Sequence, residues 1–412
     1  MDSLLLIGAI VLIGVAGNFL FNRTKIPEAV FLIVLGLLIG PLLQIINPEP
    51  FIEVAPFFAK LALIIILLDS GLALNIFTLV KNFSKTLLFG LLVLILSITG
   101  TTMFLNLVLH WNFLNSLFIA IITAGTTSIT VSYLVSRLSV DNKFKDLLML
   151  ESVISDVLLI TAAIIVMEVI VSQTITFKSA AGSIASSFAI ALMIGVALAI
   201  FWIYMLGKLK SKLGYVATLG VLFILYAIVE YLKGSGAIAV LVFCLLLGNS
   251  SKIINRFNLK THTIKALSGK TMSSIHTVQS AISFFTKTFF FVLLGIIFSV
   301  KSLSSNLVLI AVGLLIIAMF ARYLSSKVLV KMDRKFKDKV FLLTTILPRG
   351  FVSAVLAFMP ANFGVNIPYI TEIALLIIFL TTFVAIASVA LYEKGYLRPQ
   401  PLKNAKNENQ NT

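Results

Sequence analysis

Apolar stretches of about 20 residues recur along the whole of this chain, separated by short polar connections, and that recurrence leaves few folds open. Each is long enough to cross the hydrocarbon of a bilayer as one α-helix, where every backbone amide must find its partner inside the protein. Windows near 2–21, 26–46, 55–80, 84–109, 113–136, 144–172, 181–207, 213–232, 235–249, 272–299, 303–330, 338–359 and 369–392 give thirteen candidate spans. The expected fold class is therefore an all-α polytopic membrane protein. With 59% hydrophobic and 12% charged residues, and a mean hydropathy of +1.10, no soluble domain is visible. The formal charge of +16 is dispersed between apolar windows, so it argues against a nucleic-acid partner and for topology signals. Cys244 is alone, which excludes an internal disulfide, and His110, His262 and His276 are too scattered to hold a metal. The opening MDSLLLIGAIVLIG lacks a basic leading region, as expected of a retained first helix rather than a signal peptide. The tail after Tyr392 is polar and Asn-rich, with no nucleotide-binding module.

The basic residues test the spans. Taking alternate connections from the first, one side receives Arg23 and Lys25, Lys81 and Lys85, Arg137, Lys143 and Lys145, then Lys208, Lys210 and Lys212. It also receives the basic residues of 252–270, 327–339 and 394–406, for 25 in all against Lys178, Lys233 and Lys301 on the other side. That bias predicts an outside N-terminus and a cytoplasmic C-terminus in a cell (plasma) membrane. Lys60 and Lys287 fall near window ends and are read as snorkelling. Glu168, Glu230 and Glu372 are read as interfacial, whereas Arg322 and Arg349 lie deeper.

A second layer of information comes from polar residues at bilayer depth. In LLMLESVISDVLL, Glu151, Ser152, Ser155 and Asp156 interrupt an otherwise apolar span. Ser152 and Asp156 are four apart and share a helical face, an oxygen-rich pairing suited to a hard cation or a proton. At 1.5 Å per residue, Asp156 lies roughly 18 Å from the inner edge, Asp69 roughly 21 Å and Thr126 and Thr127 roughly 20 Å from the outer edge, and Arg349 roughly 16 Å from the inner edge. Glu151 and Arg322 fall roughly 10 and 12 Å from the inner edge and are expected to pair. An intramembrane hydroxyl is more often back-bonded than a ligand, and a Glu–Arg pair is more often structural. Asp156 has no such assigned partner, which makes it the functional candidate. The fifth and twelfth spans also carry breakers at this depth, Gly125-Thr126-Thr127-Ser128 and Pro348-Arg349-Gly350. They are seven spans apart and enter from opposite sides, as inverted repeats with discontinuous helices 5 and 12 crossing near the midplane would require. Arg349 would offset the negative ends of half-helices meeting there.

In these segments the chain resembles the monovalent cation/proton antiporters, in particular the NhaP/NHE branch. The resemblance runs from NRTKIPEAVFLIVLGLLIGP through LALIIILLDSGLALN, GSGAIAVLVFCLLLGN and FFFVLLGIIFS to LPRGFVSAVLA. It implies that Asp156 is the shared ion- and proton-binding aspartate, Ser152 a hydroxyl ligand, Asp69 the helix-three carboxylate and Glu151–Arg322 the structural link. Ser155 stands where that branch has Asn, and TTS at 126–128 stands where Thr-Asp-Pro is usual, as in the Kef-type potassium/proton branch.

The expected activity is exchange of Na⁺ (or Li⁺) for H⁺, electroneutral and one for one, with Asp156 as carrier and Ser152, Ser155, Thr126, Thr127 and Asp69 supplying further oxygens. No cofactor is expected, and the partners are the transported ions, membrane lipid and a second copy of the chain. The expected organisation is scaffold and dimerisation helices over 1–83, core helices over 84–172, a linking helix over 173–212, scaffold over 213–302, core over 303–392 and a cytoplasmic tail over 393–412. A K⁺/H⁺ antiporter is the runner-up. A cation channel would need a continuous pore, and nothing resembles the His–Glu or paired-aspartate motifs of an intramembrane enzyme.

Overall fold

The computed structural model describes residues 8, 12, 28–73, 83–136, 138–172, 177–208, 214–256, 269–298 and 304–394. All of the first expected span but residues 8 and 12, the tail beyond 394 and the connections holding Arg23, Lys25, Lys81, Arg137, Lys210, Lys212, Lys260, Lys265 and Lys301 lie outside the described residues.

Helices account for every described span. They are α1 (Glu28–Leu37), α2 (Glu49–Ala73), α3 (Phe83–Met103), α4 (Phe113–Ala124), α5 (Ser128–Ser136), α6 (Asn142–Ser172), α7 (Phe177–Lys208) and α8 (Gly214–Tyr231). Then follow α9 (Gly236–Arg256), α10 (Gly269–Ile297), α11 (Ser305–Met332), α12 (Val340–Thr345), α13 (Phe351–Ala357), α14 (Met359–Asn362) and α15 (Ile370–Glu393). Among the described residues, six helices are long and apolar enough to cross a bilayer unaided, and others are shorter apolar pieces such as 113–124 and 351–362. The multi-pass membrane architecture is thus explicit. Local sequence sets the ends: the Asn112 side chain caps the α4 amides of Leu114 and Asn115, and Ser304 caps α11.

The helices pack in two groups. In one, α1 lies along α10, α2 along α9 and α10, and α7 and α8 against α9. In the other, α3 contacts α4, α6 and α11, while α11 and α15 hold α12. The first group is joined by seams of bare backbone. A Cβ added at Gly295 would meet the Ile33 carbonyl and, at 2.8 Å, the Cα of Gly36, and one at Gly248 would meet the Gly71 carbonyl at 2.7 Å. Cys244 packs into the second seam, buried and free, against Gly71. Close backbone approach of this kind is how helices gain dispersion contact in lipid, where apolar side chains have no driving force to associate. Gly295→Val should therefore lower stability by about 1–3 kcal/mol, the scale of overpacking in a close-packed contact, seen as a lower unfolding midpoint in detergent.

Candidate functional site

The fifth and twelfth expected spans are each interrupted. Helix α4 stops at Ala124 and α5 begins at Ser128; α12 stops at Thr345 and α13 begins at Phe351. Pro348 drives Leu347 out of helical geometry, Gly350 lets the two breaks come together, and Gly125 lets the first lie against α6. A Cβ at Gly350 would lie 2.8 Å from Thr127 Cγ2, and one at Gly125 would strike Leu159 of α6.

Backbone groups freed by one interruption are satisfied by the other. Thr127 N donates to the Pro348 carbonyl at 2.9 Å, and Arg349 Nη1 donates to the Gly125 carbonyl at the C-terminal end of α4. Arg349 N donates to Thr381 Oγ1 of α15 at 3.0 Å, and its side chain is 1% exposed. A guanidinium therefore sits against the negative end of a half-helix, as helix electrostatics favours.

Asp156 approaches this crossing from α6. Its Oδ2 accepts the Ser128 amide, the first of α5, at 3.3 Å, and the Ser128 hydroxyl also bonds to it. The carboxylate thus rests on the positive end of a half-helix. It is 4% exposed and has no ion-pair partner among the described residues.

One turn earlier on α6, Glu151 is fully committed. Arg322 Nη1 donates to Oε1 at 3.1 Å and Nη2 to Oε2 at 3.4 Å, with both side chains essentially buried. Arg322 is itself fixed by Nε donation to the Leu343 carbonyl at 2.8 Å and by the Phe89 ring 5.5 Å away. Thr126 Oγ1 lies 3.2 Å from both Glu151 oxygens and from Ser152 Oγ. Ser155 Oγ lies 3.3 Å from Glu151 Oε1, and Ser152 Oγ donates to the Leu148 carbonyl at 2.7 Å. The expected oxygen set therefore divides. Thr126, Ser152 and Ser155 gather on Glu151 or the backbone, Thr127 joins the breaks through its amide, and Asp156 faces Ser128.

Asp69 belongs to a different network. Its Oδ2 takes Lys287 Nζ at 2.9 Å and Ser283 Oγ at 2.6 Å, and its Oδ1 takes Gln279 Nε2 at 3.0 Å. Lys287 is thus not a snorkelling end residue, since it lies ten residues inside the C-terminal end of α10. Lys60 also differs from expectation: with α2 starting at Glu49, it is well inside the helix. It lines a cavity of about 670 Å³ with Glu168 and Glu230, between α2, α8 and α9 on one side and α6, α13 and α14 on the other. The two carboxylates are held by Ser187 Oγ (2.9 Å) and the Gly236 amide (2.9 Å).

Ser128 and the α10 residues were not singled out from sequence as site groups. Ser128 follows a helix breaker and so occupies the start of a new helix, and Gln279, Ser283 and Lys287 fall at a four-residue spacing that marks one helical face.

The chain is thus a multi-pass apolar bundle in which two helix interruptions meet beside a buried carboxylate. The family described as "Sodium/hydrogen exchanger, transmembrane" matches residues 8–392, and the chain belongs to that family. It is 27% identical over 173 residues to Na(+)/H(+) antiporter 1 of Methanocaldococcus jannaschii, a match spanning 40% of each chain. Its fold is similar to the structure of the sodium proton antiporter MjNhaP1 from Methanocaldococcus jannaschii at pH 8, with TM-score 0.77, 20% identity and coverage of 94% of this chain and 100% of that one. An electron-microscopy map of the same antiporter gives TM-score 0.68 at 23% identity, covering 96% and 97%.

Removing the acid of a buried pair leaves an uncompensated cation. Glu151→Ala should cost about 3–5 kcal/mol, read as a fall in unfolding midpoint, while the double variant Glu151→Leu with Arg322→Met should recover most of that loss.

Proposed function

We propose that this protein is a secondary transporter exchanging Na⁺ or Li⁺ for H⁺ by alternating access, with Asp156 as the carrier both ions share. The observation carrying this reading is the inequality of two carboxylates on one helix. Glu151 is neutralised by Arg322, whereas the buried Asp156 receives only neutral donors from Ser128. An ionised aspartate in a membrane interior is disfavoured by roughly 2.5–3.5 kcal/mol on insertion scales, so it gains from holding either a proton or a metal ion. Both loaded forms are near neutral and cross; the empty form is held back, and competition for one carboxylate couples the fluxes.

The two packed groups fit this mechanism. The group containing α3–α6 and α11–α15 is the ion-carrying core, the group containing α1, α2 and α8–α10 is the scaffold and dimerisation body, and α7 links them. The crossing of α4/α5 with α12/α13 is the pseudo-symmetric centre of inverted repeats. The cavity beside Ile164, eight residues along α6 from Asp156, is the proposed approach for the ion on the side opposite the basic connections. The N-terminus is then outside and the C-terminus cytoplasmic in the cell membrane, and the chain works as a homodimer. Glu151, Arg322 and Arg349 compensate charge; in the cation-loaded state Ser152, Ser155, Thr126, Thr127 and Asp69 are candidates for the remaining oxygens. The resemblance of TTS at 126–128 to the Kef-type potassium/proton branch keeps K⁺ as a second reading.

Proteoliposomes loaded with a pH-sensitive dye test both readings by addition of Na⁺, Li⁺ and K⁺ in turn. Wild type should alkalinise on Na⁺ or Li⁺, and Asp156→Asn should abolish the response while eluting as folded protein. For one-for-one exchange the ion gradients at which net flux reverses should not depend on membrane voltage; a voltage-dependent reversal point refutes that stoichiometry.

A further inference from the structure

Positive charge gathers at the corner where α11 ends. After Met332 the chain makes one tight turn, Arg334–Lys339, and enters α12. Residues 327–339 hold Lys327, Lys331, Arg334, Lys335, Lys337 and Lys339 against Asp333 and Asp338. Neutralisation there is uneven. Asp333 takes Lys85 Nζ at 2.8 Å and the Lys335 amide at 3.2 Å, and Lys339 pairs with Asp141. Lys327, Lys331, Arg334 and Lys337 are exposed and have no ion-pair partner among the described residues, which leaves Asp338 as the one acid of the segment outside those pairs. The turn is also anchored: Phe336 is buried against Phe144, ring centroids 6.5 Å apart, so its cationic neighbours are held outward.

Two of these cations continue an apolar face. Helix α11 packs on α3, α12 and α15, and along the rest of its surface it exposes Ile316, Phe320, Leu324 and Val328. Tyr323, Lys327 and Lys331 follow at four-residue spacing and share a helical face beside that stripe. Lys327 Nζ lies 5.1 Å over the Tyr323 ring. Apolar groups, then an aromatic, then cations one and two turns further on match the order in which a phospholipid presents acyl chain, interface and phosphate. Lys327 and Lys331 are roughly 6 Å apart along the helix axis, within reach of a single phosphate. Snorkelling to water serves a lone lysine. Four unpaired cations at the rim of an apolar face select an anion.

We propose that this corner binds an anionic phospholipid from the leaflet on the side of the basic connections. The acyl chains lie along Phe320, Leu324 and Val328, the headgroup phosphate sits between Lys327 and Lys331, and Arg334 and Lys337 add positive charge at headgroup level. The same helix carries Arg322, the partner of Glu151, so the lipid is held by the packed group that contains Asp156 and not by α1, α2 or α8–α10.

The unfolding midpoint of the purified protein in a neutral detergent, followed during titration with dioleoyl-phosphatidylglycerol or dioleoyl-phosphatidylcholine, gives the test. Phosphatidylglycerol should raise the wild-type midpoint saturably, and phosphatidylcholine, with the same chains and no net charge, should not. Lys327→Gln/Lys331→Gln should keep the lipid-free midpoint and weaken the apparent phosphatidylglycerol affinity by about thirtyfold, the scale of two lysines close to a charged surface. Lys252→Gln/Arg256→Gln at the end of α9 removes as much charge from the same side of the protein and should change that affinity by less than about twofold. Equal loss in the two double variants, an equal response to the two lipids, or equal protection by glycerol phosphate, the headgroup without its chains, overturns the proposal. Should the first double variant not fold, Lys327→Gln and Lys331→Gln are measured singly, with a loss of about fivefold expected from each and no loss from either overturning the proposal. Transport is not part of the measurement, so its outcome is independent of the reading of Asp156.

Discussion

A backbone that stops being helical inside a bilayer has no water to bond, and the centre of this protein is organised by that prohibition. The amide of Thr127 is taken by Pro348, the carbonyl of Gly125 by Arg349 and the amide of Ser128 by Asp156. Each interruption is tolerable because the other, with α6 and α15, takes up its backbone groups. The same bonds place a cation on the negative end of one half-helix and an anion on the positive end of another. The position of Asp156 is thus a by-product of satisfying peptides: the geometry that makes the breaks possible also holds a carboxylate on a helix N-terminus, where negative charge is favoured.

Charge pairing then separates two acids one turn apart. Glu151 has a bidentate arginine that is locked by Leu343 and Phe89, and it draws in the hydroxyls of Thr126 and Ser155. Such a pair contributes little net stability compared with an apolar replacement, but it cannot easily be half removed. Its consequence is that the nearby hydroxyls are not idle ligands awaiting a metal ion. They already serve an anion, and recruiting them to Asp156 requires side-chain rotation within α6 and the α4/α5 break.

Much of this was legible in the residues. Breakers fix the interruptions because Gly and Pro act locally, through missing Cβ atoms and a missing donor. The Glu151–Arg322 pairing followed from depth alone, since both sit on long uninterrupted helices where residue number converts cleanly to height. Depth is only one coordinate, however. It put Asp69 level with Asp156 but said nothing of the direction it faces, and the six-residue error in the start of α2 displaced it further along its helix. The partners of Asp69 were missed for the same reason: the Gln279, Ser283 and Lys287 face becomes significant only once α10 is known to lie along α2. Likewise Ser152 shares a face with Asp156, yet its hydroxyl turns back to Leu148, a choice between two nearby acceptors that spacing does not decide.

The glycine seams have a mechanical consequence. Where Gly36 meets Gly295 and Gly71 meets Gly248, main chain bears on main chain, with no side-chain rotamers between them to yield. Across the cavity of about 670 Å³ the facing helices instead leave space, with Ala59, Lys60 and Leu63 opposite Ile164, Glu168, Val355 and Leu356. The seams are keyed, so α1 with α10 and α2 with α9 form stiff pairs, and whatever gives way in this bundle gives way elsewhere than along those two lines.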